Sequence, residues 1–391
     1  MRLISSLVCA IITIFSMKAT DVASQVDAIM QTRYSHDTPG AGIMILKGDS
    51  VVMEKYYGVA DMATKEPISV LTRFNIASVS KQFTVVGALR LVNEGKITLN
   101  DTLASHFPQY TESFWKQLQI WHLMSHTSGL PDSRDRSNRE ACVYANDSIS
   151  MSYFPKVKEL RFSPGSAYDY KNPTFLLIAN IIEKCDSMPF VDYQKRYIFD
   201  ELGMVSTTYF DPNNIPANAA HGYINILADG ASSTDNDTAG KTVKIDNSNS
   251  SQWQQYDYGE ETFFATRPDG GIYSTVRDLA QWEKGLRENR IIPDSLLQLA
   301  YTPHVEVTGS KWSSYQNRPN TYYGLGWFID KTPGYPTKVY HTGDNGGFQA
   351  YLAKYPEKEV TIIILENRND NDRWSLATAI DKILLDAGML E

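Results

Sequence analysis

Apolar positions along the chain fall into three regimes. Residues 21–33 carry helical spacing, and "GAGIMILKG" and "SVVMEKYYGVAD" follow as β-rich runs parted by Gly48, Asp49 and Ser50, which predicts an antiparallel hairpin. "KQFTVVGALRLVNEG" returns to helical spacing with Gly95 as its stop, and from about 100 to 210 helical pattern alternates with turn clusters such as "SHTSGLPD" and "RFSPGSAYDYKNP". From about 322 the pattern is again that of strands: "YYGLGWFID", "TKVYHTG", "FQAYLAKYP" and "EVTIIILEN". "RWSLATAIDKILLDAG" then closes the chain as an amphipathic helix. Strands at both ends with helices between them predict an α/β (α+β) chain whose antiparallel sheet is assembled from both ends, beside a helical lobe at about 100–210. The cleft between such lobes is a usual binding site.

Two stretches stand outside this scheme. Residues 1–19 run from Arg2 through an apolar stretch, Leu3 to Phe15, to small and polar residues, the layout of a secretory signal peptide and too short to span a bilayer comfortably. They predict a secreted or periplasmic mature chain with no integral membrane segment, residues 20–391. Residues 228–251, rich in Ser, Asp, Asn, Thr and Gly without apolar period, read as a surface insertion.

Composition narrows the field. The 391 residues are 42% hydrophobic and 21% charged, enough for a large core. The formal charge is −8, and because residues 1–19 hold Arg2 and Lys18 and no acid, the mature chain stands at −10. That acidity argues against a nucleic-acid or anionic-membrane partner. Past the leader only Cys142 and Cys185 remain, which allows one bridge without requiring it, and neither has the neighbours of a metal site.

The candidate chemistry begins at "FNIASVSKQF", residues 74–83. Ser78 and Lys81 stand three apart, so a helix starting near Ser78 puts hydroxyl and amine on one face. S-x-x-K alone recurs by chance, but four further segments follow in order: "LMSHTSGLPD", "FSPGSAYDYKN" with Tyr170 and Asn172, "RPDGGIYSTVRDLAQW", and "HTG" at His341, Thr342 and Gly343.

Together these resemble the serine β-lactamase and penicillin-binding-protein superfamily, in particular the branch of class C β-lactamases, D-alanyl-D-alanine carboxypeptidases and esterases, over about residues 25–385. The resemblance implies a β-lactamase/transpeptidase-like fold and a serine hydrolase that cleaves an ester or amide through an acyl-enzyme. By the same resemblance Ser78 is the nucleophile, Lys81 and Tyr170 move protons, and Asn172 binds Lys81 and substrate. His341, Thr342 and Gly343 line the opposite wall, and the backbone N–H of Ser78 and of Asp344 form the oxyanion hole. No metal or organic cofactor is implied, and the partner is a small-molecule or peptidoglycan-type substrate; oligomeric state is left open.

The chemistry agrees with that assignment. A serine hydroxyl needs a neighbour to take its proton, and a lysine in a desolvated cleft has its ammonium form disfavoured. Whether Lys81 or Tyr170 is the base stays open. Two positions depart from the β-lactamase pattern: His341 stands where those enzymes carry lysine, replacing a fixed cation by a mostly neutral imidazole, and Asp344 stands where a small residue is usual. An Asp344 turned into the cleft would repel a substrate carboxylate; the alternative has it capping the "DNGG" turn. Lys171 stands where a serine is usual, facing outward or restoring positive charge. His126 reads as a structural hydrogen-bonding histidine. The alternatives are a non-catalytic cell-wall-binding or sensory module on the same fold, and a weak class C-like β-lactamase.

Overall fold

The structure, a computed structural model, describes residues 19–132, 147–211, 213–226, 252–256, 266–312 and 319–391. The leader apart from Ala19, Cys142 and with it the question of a bridge to Cys185, and the 228–251 insertion therefore lie outside the described residues.

The central strands explain the layering. β1 (Ala41–Lys47) and β13 (Val360–Glu366) are buried almost end to end, and they pair antiparallel from Ala41 with Glu366 to Lys47 with Val360. A strand covered on both faces reads as a continuous apolar run, and successive side chains go to opposite faces. Ile43, Ile45, Ile362 and Ile364 turn toward a helix over residues 19–33 (α1) and a helix at Arg373–Asp386, through Val22, Val26, Leu376 and Ile380. Met44, Leu46, Ile363 and Leu365 turn toward the opposite core with Val276, Leu279 and Trp282.

The eight-stranded sheet runs β2-β1-β13-β12-β11-β10-β9-β8. Its members are β2 (Ser50–Tyr57), β8 (Val305–Glu306), β9 (Thr321–Tyr323), β10 (Phe328–Asp330), β11 (Lys338–Asn345) and β12 (Phe348–Tyr355). The sheet is thus built from both ends of the chain, as the strand pattern predicts. A small sheet joins β3 (Phe74–Asn75) and β4 (Thr208–Tyr209) to β7 (Ile272–Ser274), and β5 (Tyr223–Asn225) pairs with β6 (Trp253–Gln255).

Among the described residues four helices of twelve residues or more follow α1: α2 (Ser80–Asn93), α3 (Thr174–Asp186), α4 (Val276–Arg287) and α5 (Arg373–Asp386). α2 is buried on nearly every side, and Phe83 on it stacks on Trp282 of α4 with ring centres 4.0 Å apart. The "RPDGG" segment differs from a plain helix start. Arg267–Gly270 form one helical turn, Gly271 leads into β7, and α4 begins only at Val276, capped by the Thr275 side chain accepting from Asp278 N–H.

Candidate active site

Ser78 lies in a 3₁₀ turn, Ala77–Val79, that runs straight into α2. The turn is entered through an uncommon backbone: Ala77 has φ +45°, a region that costs a side-chain-bearing residue about 1–2 kcal/mol. Two contacts hold it there. Ala77 N–H donates to Asn75 Oδ1 at 2.8 Å, and Ile76 N–H donates to Ile272 O at 2.9 Å.

One turn on, Lys81 Nζ donates to Ser78 Oγ at 2.9 Å and to the Asp269 carbonyl at 2.8 Å. Lys81 is fully buried. The three-residue spacing therefore does what the sequence predicts, and the tight "PDGG" turn supplies the carbonyl that anchors the amine. Tyr170 sets its ring 4.9 Å from Lys81 Nζ, and Phe175 of α3 lies at 5.4 Å. Asn172 stands at the mouth of α3, where its carbonyl accepts from Phe175 N–H at 3.1 Å.

β11 forms the facing wall. β10 pairs with it only over Lys338–Tyr340, whereas β12 runs alongside as far as Asn345. The His341–Asn345 half is thus free of a strand on the side where the serine turn packs. Gly343 makes that packing possible: a Cβ there would sit 2.2 Å from the Ile76 carbonyl oxygen. His341 is buried, with Nε2 3.0 Å from the Tyr323 hydroxyl and Nδ1 2.7 Å from the Thr342 carbonyl. Because a carbonyl only accepts, Nδ1 carries the proton and Nε2 accepts from Tyr323. Thr342 is buried and pairs across the sheet with Tyr351.

Asp344 is held by a partner far along the chain. Its carboxylate receives two bonds from the Arg373 guanidinium of α5, at 2.8 and 3.0 Å, and Arg373 also donates to the Gly343 carbonyl at 2.9 Å. A bidentate guanidinium satisfies a carboxylate better than the following turn can. Lys171 likewise gives its charge to a neighbour: its ammonium bonds buried Asp169 at 2.6 Å, and Arg161 bonds the other oxygen of that carboxylate. Burial outweighs these cations and holds the Asp169 carboxyl above its ordinary range.

His126, read from sequence as structural, lies inside the site. It is buried, its imidazole ring is 4.1 Å from that of Tyr170, and its pKa is held well below that of a free histidine by burial first and then by Lys81. Asn75, Asp269, Tyr323 and Arg373 also escape sequence reasoning, although each falls in a quoted segment. Among the described residues no group of three or more His, Cys, Asp or Glu side chains could hold a metal ion, and no helix is long and apolar enough to cross a membrane.

Across residues 22–385 the chain matches the family described as Beta-lactamase. The chain belongs to the beta-lactamase family. This family member is 26% identical over 359 residues to protein flp of Staphylococcus aureus strain N315, a match covering 89% of the chain and 64% of flp, so it spans a little under two thirds of that relative's length. It is 25% identical over 344 residues to Penicillin-binding protein 4* of Bacillus subtilis strain 168, covering 86% of the chain and 69% of that protein. In fold it is similar to a penicillin-binding protein from Bacillus halodurans, with TM-score 0.73, 23% identity and coverage of 92% and 99%. The octameric penicillin-binding protein homologue from Pyrococcus abyssi gives TM-score 0.73 and 23% identity, with coverage of 94% and 77%. The beta-lactamase/transpeptidase fold and the serine hydrolase family are thereby shown.

Proposed function

We propose that the chain is an extracytoplasmic serine acyl-hydrolase, esterase- or carboxypeptidase-like, working through an acyl-enzyme on Ser78. The observation that carries this reading is the 2.9 Å bond between Lys81 Nζ and Ser78 Oγ, made by a lysine with no exposed surface. Ser78 Oγ attacks the carbonyl carbon while its proton passes to Lys81 as the free amine or to Tyr170 as the phenolate, and the leaving group takes that proton from the relay. Water then attacks the acyl-enzyme and returns the proton to Ser78. The N–H groups of Ser78 and Asp344 receive the oxyanion, Asn172 holds the acyl side, and His341, Thr342 and Gly343 line the wall.

The charges bear on substrate. The β-lactamase lysine is a histidine here, Lys171 is bonded to Asp169, and Arg373 is bonded to Asp344. With those cations engaged, esters and amides without a carboxylate fit better than β-lactams or peptides ending in D-alanine. The extracytoplasmic setting rests on the leader-like residues 1–19.

The test is intact-mass spectrometry of the mature protein after exposure to a fluorophosphonate and, separately, to a penicillin, with Ser78→Ala as control. An adduct with the fluorophosphonate that the variant lacks is expected. A penicillin adduct or penicillin hydrolysis would move the substrate toward β-lactams and D-peptides. No adduct with either reagent on folded protein would overturn the reading in favour of a binding module.

A further inference from the structure

We propose that His126 is a positioning residue for Tyr170. The inference rests on the reading of Tyr170 as a proton-transfer group and concerns what fixes the phenol in place.

One histidine holds three consecutive residues. Its carbonyl accepts from Asp169 N–H at 2.9 Å, its ring lies 4.1 Å from the Tyr170 ring at a tilt of 38°, and its Nδ1 accepts from Lys171 N–H at 3.2 Å. The backbone is thus held on both sides of Tyr170 while the imidazole leans on the phenol. The first contact needs only a backbone, whereas the second and third need the side chain.

Accepting at Nδ1 requires a lone pair there, which places the single ring proton of neutral imidazole on Nε2. The surroundings enforce that state. His126 is 1% exposed, Lys81 and Lys171 bear on it, and a positive imidazole beside them would be unfavourable. Tyr323 at 4.9 Å and Phe175 at 5.3 Å close the ring in; Tyr323 also bonds His341, and Phe175 also faces Lys81.

The backbone does not call for histidine. His126 has φ +57°, where glycine is unstrained and asparagine is tolerated about as well as histidine, so a turn alone would be best served by glycine. An uncommon conformation beside reacting groups is the pattern expected where geometry is held for chemistry. A displacement of about 1 Å in a reacting group can cost roughly a hundredfold in rate, which sets the scale of what the imidazole protects.

Three variants separate the contacts: His126→Gly keeps the backbone and loses both side-chain contacts, His126→Phe keeps a ring without the acceptor, and His126→Asn offers an amide oxygen to Lys171 N–H without the ring. With p-nitrophenyl acetate as probe, His126→Gly is expected to lose about 10- to 100-fold in kcat with KM within threefold, and His126→Phe and His126→Asn to fall between it and the unaltered protein. The fluorophosphonate labelling rate of Ser78 should follow kcat. Hydrogen exchange at the Lys171 amide should speed up in His126→Gly and His126→Phe and stay slow in His126→Asn. Unaltered kcat and exchange in folded His126→Gly would overturn the proposal, as would a rate loss that only tracks the thermal midpoint across all three. If the unaltered protein is not labelled at all, the hydrolase reading fails, and exchange at Lys171 still decides whether His126 holds the Tyr170 segment.

Discussion

Replacing Asp344 with serine tests whether the site is electrically silent toward carboxylates. Asp344 and Arg373 form a close pair with side chains 26% and 8% exposed, so a carboxylate lying against Gly343 meets opposite charges that nearly cancel. Asp344→Ser removes one of them. The guanidinium stays in place, because it is also bonded to the Gly343 carbonyl at 2.9 Å and the Ala350 carbonyl at 3.4 Å. A carboxylate about 4 Å from an uncompensated cation gains about 1 kcal/mol in water and about 4 kcal/mol at an effective dielectric near 20. The partial exposure of the pair places the expected gain at about 1–2 kcal/mol, roughly 5- to 30-fold in rate. The assay compares acylation of Ser78 by a penicillin, which carries a carboxylate, with hydrolysis of uncharged p-nitrophenyl acetate. The ratio should rise 5- to 30-fold in the variant, and the rise should shrink at high ionic strength. An unchanged or lower ratio, or an equal rise for the neutral ester, would refute the reasoning.

Three further outcomes are expected. Lys81→Met should stay folded and slow fluorophosphonate labelling by about 10²–10⁴, the usual contribution of a positioned acid–base group; near-normal labelling would remove Lys81 from the relay. Gly343→Ala forces a methyl to within 2.2 Å of the Ile76 carbonyl, so it should cost about 1–3 kcal/mol in urea unfolding and lower p-nitrophenyl acetate turnover by at least tenfold; a stable, active variant would show that the strand and the serine turn do not pack this closely. Burial raises fully buried Glu366 from 4.5 to about 7, although Tyr34 and Asn371 donate to it. A carboxyl raised in the folded state favours folding below its unfolded pKa and loses that contribution as pH climbs through 7, about 3 kcal/mol here, so urea midpoints should fall between pH 5 and pH 8 in the parent and fall less in Glu366→Gln. Parallel profiles would contradict it.

The parts legible in the sequence share a physical character: each is local. The alternation around Gly48, the apolar runs of β12 and β13 and the Ser78–Lys81 spacing are set by neighbours a few residues apart, and all appear in the fold. The family motifs added order, bringing "HTG" opposite "SVSK" in expectation as in the structure. What stayed hidden depends on partners far along the chain. Asp344 meets Arg373 and His126 meets Tyr170 only after folding, so an exposed acid and a background histidine were the natural readings. Ala77 and His126 adopt positive φ without being glycine, and no local composition signals that; tertiary contacts such as Asn75 to Ala77 impose it. Tertiary pairing likewise sets where α4 begins, because "GIYS" joins β3 and β4 as a strand and the helix starts only at Val276.

The pairing of β1 with β13 has a consequence for the order in which the molecule comes together. Residues 41–47 pair locally with β2 on one side, but on the other side they pair with residues 360–366, so the middle of the sheet is completed only when the last strand is available. Closing a loop of roughly 300 residues costs about 5 kcal/mol of chain entropy before any of its contacts repay it. An N-terminal portion emerging from synthesis therefore holds the serine turn without the wall that faces it. The serine turn meets its facing wall only when the C-terminal strands dock and one end of the polypeptide completes what the other began.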